Sequence, residues 1–221
     1  MLRGAAALGV FVLATGCQTL GTFPDPATAL SGNWENDAQF AAADPALHRP
    51  PAAGTPYEWL DRQHAAFRIV EAPALAGTGG TVVHLLWRSG GPDGPMSRER
   101  LWVFRRDRRS GRLVMDFFLP AMPGGLGDAA ADGYRVRTLT SRDVIGYPEA
   151  CTLPVRRTAR GFVARIPAGC TVTAQSGRTM TLAAEIRLDG DTLTYAEEGV
   201  LPDGSVAFRV PNPGPYVFQR R

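Results

Sequence analysis

Between Arg98 and Arg105 charged and bulky residues alternate along the chain. In an extended segment Arg98, Arg100, Trp102 and Phe104 share one face, and Glu99, Leu101, Val103 and Arg105 share the other. Guanidiniums pair bidentately with carboxylates, and their planes and aromatic rings stack on flat conjugated bodies. Turned into a cavity, the first face therefore suits a flat ligand carrying acid groups; turned outward, it is a rim or a surface. Three carboxylates lie within apolar segments, Glu99, Asp116 and Glu185. They are candidates for acid–base work, because burial raises a carboxyl pKa. No spacing ties them together, and a solvent-facing position in a half-buried strand is the alternative for each.

Other chemistries are excluded by what the chain lacks. All 24 basic residues are arginine, so a Walker phosphate loop, a Schiff base and a serine–lysine dyad have no lysine to use. The three histidines, His48, His64 and His84, show no HExxH or paired spacing, and no metal site is expected. His64 and His84 read as strand residues with ordinary hydrogen bonds. Gly125-Leu126-Gly127-Asp128-Ala129-Ala130 fits a dinucleotide fingerprint in letters only, since no long helix and no βαβ alternation surround it. It reads instead as a loop able to act as a lid. No GxSxG elbow is present. A net charge of +3 on 221 residues does not indicate a nucleic-acid binder.

The elements that must position these residues are strands. Met180, Leu182, Ala184, Ile186 and Leu188 alternate with more polar neighbours, the period of a half-buried strand. Similar segments are expected at 64–70, 81–88, 98–106, 112–119, 134–139, 151–157, 162–166, 192–197, 206–210 and 216–219. Turn signals such as Asp189-Gly190-Asp191 and Pro202-Asp203-Gly204 separate them. So many strands without intervening helical patterns predict an all-β, antiparallel sandwich or closed barrel. One short helix is expected where Asn36 and Gln39 have capping-box spacing, ended by Pro45.

The N-terminus reads as an export leader. Arg3 is followed by an apolar run over 8–13, too short to span a bilayer, and by Leu13-Ala14-Thr15-Gly16-Cys17, which resembles the bacterial lipobox. Residues 1–16 are then a signal peptide, 17–29 a flexible tether acylated at Cys17, and 30–221 a single domain. Gln18 in place of aspartate after Cys17 points to a membrane partner at the cell envelope, the periplasmic face of the outer membrane. A plain secretory peptide is the alternative and leaves the compartment unchanged. In that oxidising space Cys151 and Cys170 form an even pair, and a disulfide between them is the economical reading. Its roughly 20-residue loop implies about 3 kcal/mol of stabilisation in the chain-entropy model. Two buried free thiols are the alternative, and no CxxC or cysteine–histidine signature favours a catalytic thiol.

Several motifs in order resemble the CpcT/CpeT family of phycobiliprotein chromophore lyases. They are Gly32-Asn33-Trp34-Glu35-Asn36-Asp37-Ala38-Gln39, then Arg98-Glu99-Arg100, then Cys151-Thr152-Leu153, Gly161-Phe162 and Gly169-Cys170, and finally Gly214-Pro215-Tyr216-Val217-Phe218. Ser97 and Glu99 stand where that family has tyrosine and glutamine. The resemblance implies a calycin-type, lipocalin-shaped barrel whose cavity receives a linear tetrapyrrole, a bilin, for thioether attachment to the thiol of an acceptor protein. On that reading Arg98, Arg100, Trp102 and Phe104 bind the ligand's propionates and conjugated body, and Glu99, Asp116 or Glu185 supplies an acid. The export signal suggests a second possibility, a non-catalytic, lipid-anchored, lipocalin-like binding protein for a hydrophobic small molecule.

Overall fold

The computed structural model describes residues 24–49, 59–122, 124–127, 136–174, 177–210 and 214–221. The strands are Gly32–Glu35 (β1), Gln63–Val70 (β2), Thr81–Ser89 (β3), Met96–Arg106 (β4), Leu113–Pro120 (β5), Val144–Gly146 (β6), Leu153–Arg157 (β7), Gly161–Arg165 (β8), Thr171–Thr173 (β9), Thr179–Asp189 (β10), Thr192–Val200 (β11), Val206–Val210 (β12) and Tyr216–Arg220 (β13). Every pairing among them is antiparallel. Ten close on themselves in the order β1-β2-β3-β4-β5-β7-β8-β10-β11-β13 and back to β1, while β6, β9 and β12 add to β5, β10 and β11. The expected all-β fold is thus a barrel, in which the ten strands leave no open edge around the ring.

Alternation puts one phase of each strand inside. On β10 the five apolar residues from Met180 to Leu188 are buried, and on β11 the inward phase is Leu193, Tyr195, Glu197 and Gly199. Trp34, Phe67, Leu85, Trp87, Trp102, Phe104, Met115, Phe162 and Phe218 complete one continuous core. Each such side chain contributes roughly 1.5–3 kcal/mol by leaving water. At the end formed by the β4–β5, β7–β8 and β10–β11 hairpins the fill is apolar, with Phe104 edge-on to Phe162 at 5.9 Å. The helix α1 (Pro26–Leu30) packs there against β2, β3 and β8, capped by the Asp25 carboxylate accepting from Ala27 N and followed by Trp34 Nε1 donating to Leu30 O. The opposite end, at the β3–β4 hairpin, is polar.

A second apolar cluster lies outside the barrel. Leu101 and Val103, outward on β4, and Val82 on β3 are covered by Leu126, Val136, Leu139 and Val144. For that reason β4 is buried on both faces, and alternation there does not separate core from solvent.

Some expectations differ from the structure. Residues 26–29 are not tether: they belong to α1, where Ala27 and Leu30 are fully buried, so the packed domain begins near Asp25. The expected helix exists as α2 (Asp37–Ala42), but without a capping box. Asn36 instead accepts from Gln63 N and donates to Asp61 O, and Gln39 donates to Pro215 O and accepts from Val217 N. Both side chains hold the helix to neighbouring strands. Residues 136–137 form a helical turn where a strand was expected over 134–139, and 134–135 lie outside the described residues. Cys17, the leader and the end of the glycine-rich 125–130 loop also lie outside them. Among the described residues no helix is long and apolar enough to cross a membrane.

Candidate ligand-binding site at the polar end of the barrel

Arg98 and Arg100 both fall on the inward phase of β4, above Trp102 and Phe104. Arg98 Nη1 donates to Tyr195 Oη and to Glu197 Oε2, each at 2.6 Å, and Tyr195 donates to the same carboxylate at 2.7 Å. Its guanidinium lies 5.1 Å from the Trp87 ring centroid and 5.4 Å from that of Tyr195, within cation–π range. Trp87 is edge-on to Tyr195, Tyr216 and Phe218, and Trp102 lies parallel to Tyr195 at 6.2 Å. The buried Trp87 indole N–H has no hydrogen-bond partner among the described residues. Arg100 Nη1 donates to Glu99 O at 2.7 Å, and among the described residues no carboxylate comes within ion-pair distance of it. Trp102 and Phe104 are fully packed into the core, so the part of the four-residue face left for a ligand is the arginine end.

Around this centre runs a polar rim. Tyr216 donates to Asp61, Gln63 donates to Asp61 and to Ser89 Oγ, and Ser97 donates to Gln63 Oε1 at 2.8 Å. A groove of about 370 Å³ lies beside β10, β11 and Pro215, lined by Ile166, Ala184 and Glu197 among others.

The electrostatics of the centre are set by one ion pair. Burial works against the Glu197 carboxylate, but Arg98, Arg100 and the Tyr195 hydroxyl outweigh it and hold its pKa below the usual value. Burial likewise opposes the Arg98 charge, and Tyr195 and Glu197 restore it above the ordinary range. Tyr147 is pushed up to about 12, chiefly by burial and then by the nearby Glu197 charge. Burial raises Tyr195 and Tyr216 as well, with Glu197 and Asp61 respectively adding to it. The centre is thus an ionised pair ringed by neutral phenols. It offers hydrogen-bond donors and a flat aromatic floor, and its Glu197 carboxylate is held ionised.

The three acid candidates are elsewhere and apart. Glu99 is buried on the outward face of β4, 2.9 Å from His84 Nε2, with its other oxygen unpartnered among the described residues. Asp116 pairs with Arg105 at 2.5 Å and accepts from Thr152 at 2.6 Å. Glu185 pairs with Arg165 and Arg187 on the outer wall, and these contacts lower its pKa. The carboxylate at the centre is Glu197, which the sequence signals only by sharing the phase of Leu193 and Tyr195. Cys151 and Cys170 form the expected disulfide, with Cα atoms 4.8 Å apart, joining the start of β7 to the segment before β9. Among the described residues no cluster of metal-ligating side chains occurs.

No protein-family model matches the chain, and no curated protein matches it. Among solved structures it is similar to the CRL protein of Arabidopsis, with a TM-score of 0.65 and 11% sequence identity over 88% of this chain and 95% of that one. A likeness at that identity shows the fold alone, and the fold is consistent with the CpcT-like barrel implied by the sequence motifs.

Proposed function

We propose that this chain is a lipid-anchored protein of the cell envelope that binds a linear tetrapyrrole, or a flat conjugated acid of similar build, at the polar end of a chromophore-lyase-type barrel. The observation that carries the reading is the inward placement of Arg98 and Arg100 beside Trp87, Tyr195 and Trp102. Arg98 is committed to Glu197, which leaves Arg100 to receive a ligand carboxylate. The partnerless Trp87 N–H adds a donor that a bound carbonyl would satisfy. In a lyase the same pocket would present the bilin for attachment to the thiol of an acceptor protein.

The ionised state of Glu197 favours a second reading, a binding protein that holds its ligand without chemistry. An acid catalyst must carry its proton near working pH, and Arg98 works against that at Glu197. Titration with a bilin or with haem, followed by its visible absorbance band, tests binding. Adding an acceptor protein with a free cysteine then separates the readings. A denaturation-resistant band on the acceptor means lyase, whereas binding without transfer means carrier. Absence of any spectral change with either tetrapyrrole overturns both as stated.

A further inference from the structure

On the outer wall, across the β1–β2–β3 sheet, lies a groove of about 540 Å³ separate from the polar end of the barrel. We infer that this groove is a second binding site, for a compact oxyanion of the phosphate type, with Arg68, Arg88 and Arg221 as its cationic walls and His64 as its base. The inference is independent of what the barrel interior binds.

The placement follows from strand register. His64 on β2 sits between Glu35 on β1 and Arg88 on β3 as a cross-strand neighbour of both, and Arg68 on the same face lies opposite His84. Arg221 closes the groove from the chain terminus, its backbone N–H bonded to Asn33 O. His64 is only 8% exposed, lines the groove, and its Nδ1 has no hydrogen-bond partner among the described residues. A buried ring nitrogen without a partner is rare in folded proteins, and it marks a place where a ligand group completes the bonding.

The charges around His64 fix the sign of the ligand. Arg68 from β2, Arg88 from β3 and Arg221 from just past β13 all bear on it, against Glu35, Asp37 and, at the edge of the groove, Asp93. His84 faces the same groove, with its Nε2 2.9 Å from the buried Glu99 carboxylate. Glu35 is 3.4 Å from Arg221 Nη1 and offsets part of that charge. Arg88 donates by Nη1 to Gly94 O, and Arg68 to Gly32 O, Phe67 O and Asn33 Oδ1. These bonds fix where the two forks lie. A guanidinium has five N–H donors, so capacity remains for an anion. A planar carboxylate is satisfied by one fork, whereas donors converging from three sides match a tetrahedral anion. A phosphate group supplies that geometry whether it belongs to a soluble phosphate or to a phospholipid headgroup.

Burial and the surrounding guanidiniums hold the free His64 pKa below 6.5, so the ring is neutral at pH 7. A bound anion reverses that balance and favours the doubly protonated ring, in which both nitrogens donate. Anion affinity therefore rises as pH falls. The test follows the His64 imidazole resonances of the full chain, carrying Cys17→Ser to exclude acylation, during titration with inorganic phosphate and with sulfate. Sulfate keeps its charge across the range and reads the pH effect, expected to be roughly tenfold tighter binding for each unit by which the anion raises the His64 pKa. Arg88→Gln is expected to weaken binding about tenfold or more, Arg187→Gln on the far wall to change nothing, and His64→Gln, followed by calorimetry with sulfate because the reporting ring is gone, to remove the pH dependence. Co-sedimentation with phosphatidylglycerol vesicles but not phosphatidylcholine vesicles, lost in Arg88→Gln, identifies a lipid headgroup; binding of the soluble anions without vesicle binding identifies a solute. If millimolar phosphate and sulfate leave the His64 resonances of the unsubstituted groove unmoved, or Arg88→Gln binds as before, the site does not exist.

Discussion

Arg98 and Glu197 are each stabilising only because the other is present. Both side chains are largely withdrawn from water, at 13% and 3% exposure, and a buried charge without its partner is costly. Arg98→Ala is therefore expected to destabilise the fold by about 3–5 kcal/mol, read from the urea midpoint, and Arg98→Met with Glu197→Leu to recover most of that loss. Equal losses in the single and double variants contradict the coupling. Arg100 behaves differently. Its removal strands no carboxylate, so Arg100→Ala is expected to cost little stability and to weaken tetrapyrrole binding by about 1.5–3 kcal/mol, the value of a charge-assisted hydrogen bond. Arg105→Ala, which faces outward to Asp116, is expected to leave binding nearly unchanged. The pH dependence also has a fixed sign. Glu197 is depressed in the folded state, so its contribution is complete above its ordinary value near 4.5 and is lost as pH falls below it. Acid unfolding of Glu197→Gln, followed by circular dichroism, is expected to be shallower below about pH 4.5 than that of the parent. That Arg98 and Arg100 share a face with Trp102 and Phe104 was legible in the alternation of one strand, although which way that face turns was not, since β4 is buried on both sides. Glu197 was not, because choosing it over Glu198 requires knowing which phase of β11 faces the core.

Among the elements, alternation worked best where strands are long and one face meets solvent. Thr179–Asp189 shows this, with a strict inside–outside pattern that sequence alone displays. It failed for Gly32–Glu35, Val144–Gly146 and Thr171–Thr173, which at three or four residues are too short to establish a period. It failed too at 134–139, where Val136 and Leu139 are buried against the outer cluster from a turn. The hairpin between β7 and β8 carries a sharper constraint. A Cβ on Gly161 would sit 1.9 Å from the Leu188 carbonyl oxygen of β10, backbone that cannot rotate away. Gly161→Ala is accordingly expected to destabilise by about 2–4 kcal/mol, as overpacking against a fixed wall does, measurable as a fall in Tm. A neutral result there contradicts the close approach of β8 to β10. The disulfide ties the opposite end of the β7–β8 pair, and Cys151→Ala is expected to cost about 2–4 kcal/mol, with non-reducing peptide mapping linking the two cysteines in the parent.

For the whole molecule, the antiparallel all-β class was legible, because a succession of hairpins with few helices leaves little besides a sandwich or a barrel, and the choice of the barrel rested on the motif resemblance. What sequence did not decide was which end is polar, since that depends on where α1 packs and on which ends of β4, β11 and β13 carry Arg98, Glu197 and Tyr216. With α1 packed at one end, a ligand of the proposed kind would enter at the other. An anchor at Cys17 would join the domain through about eight residues before Asp25, shorter than the 17–29 tether expected from composition, and roughly 25 Å at full extension. Because the tether leaves from the α1 end, the proposed anchor would turn the polar end away from the bilayer and leave it to receive a ligand from the periplasm. That arrangement depends on the modification itself. Palmitate labelling with mass spectrometry of the mature chain is expected to find acyl groups on Cys17 and Gln18 as the next residue. Cys17→Ser is expected to release the protein into the soluble envelope fraction with its barrel and disulfide intact. A mature N-terminus at any other residue, or membrane retention of Cys17→Ser at high salt, removes the lipid anchor and with it the fixed orientation of the barrel.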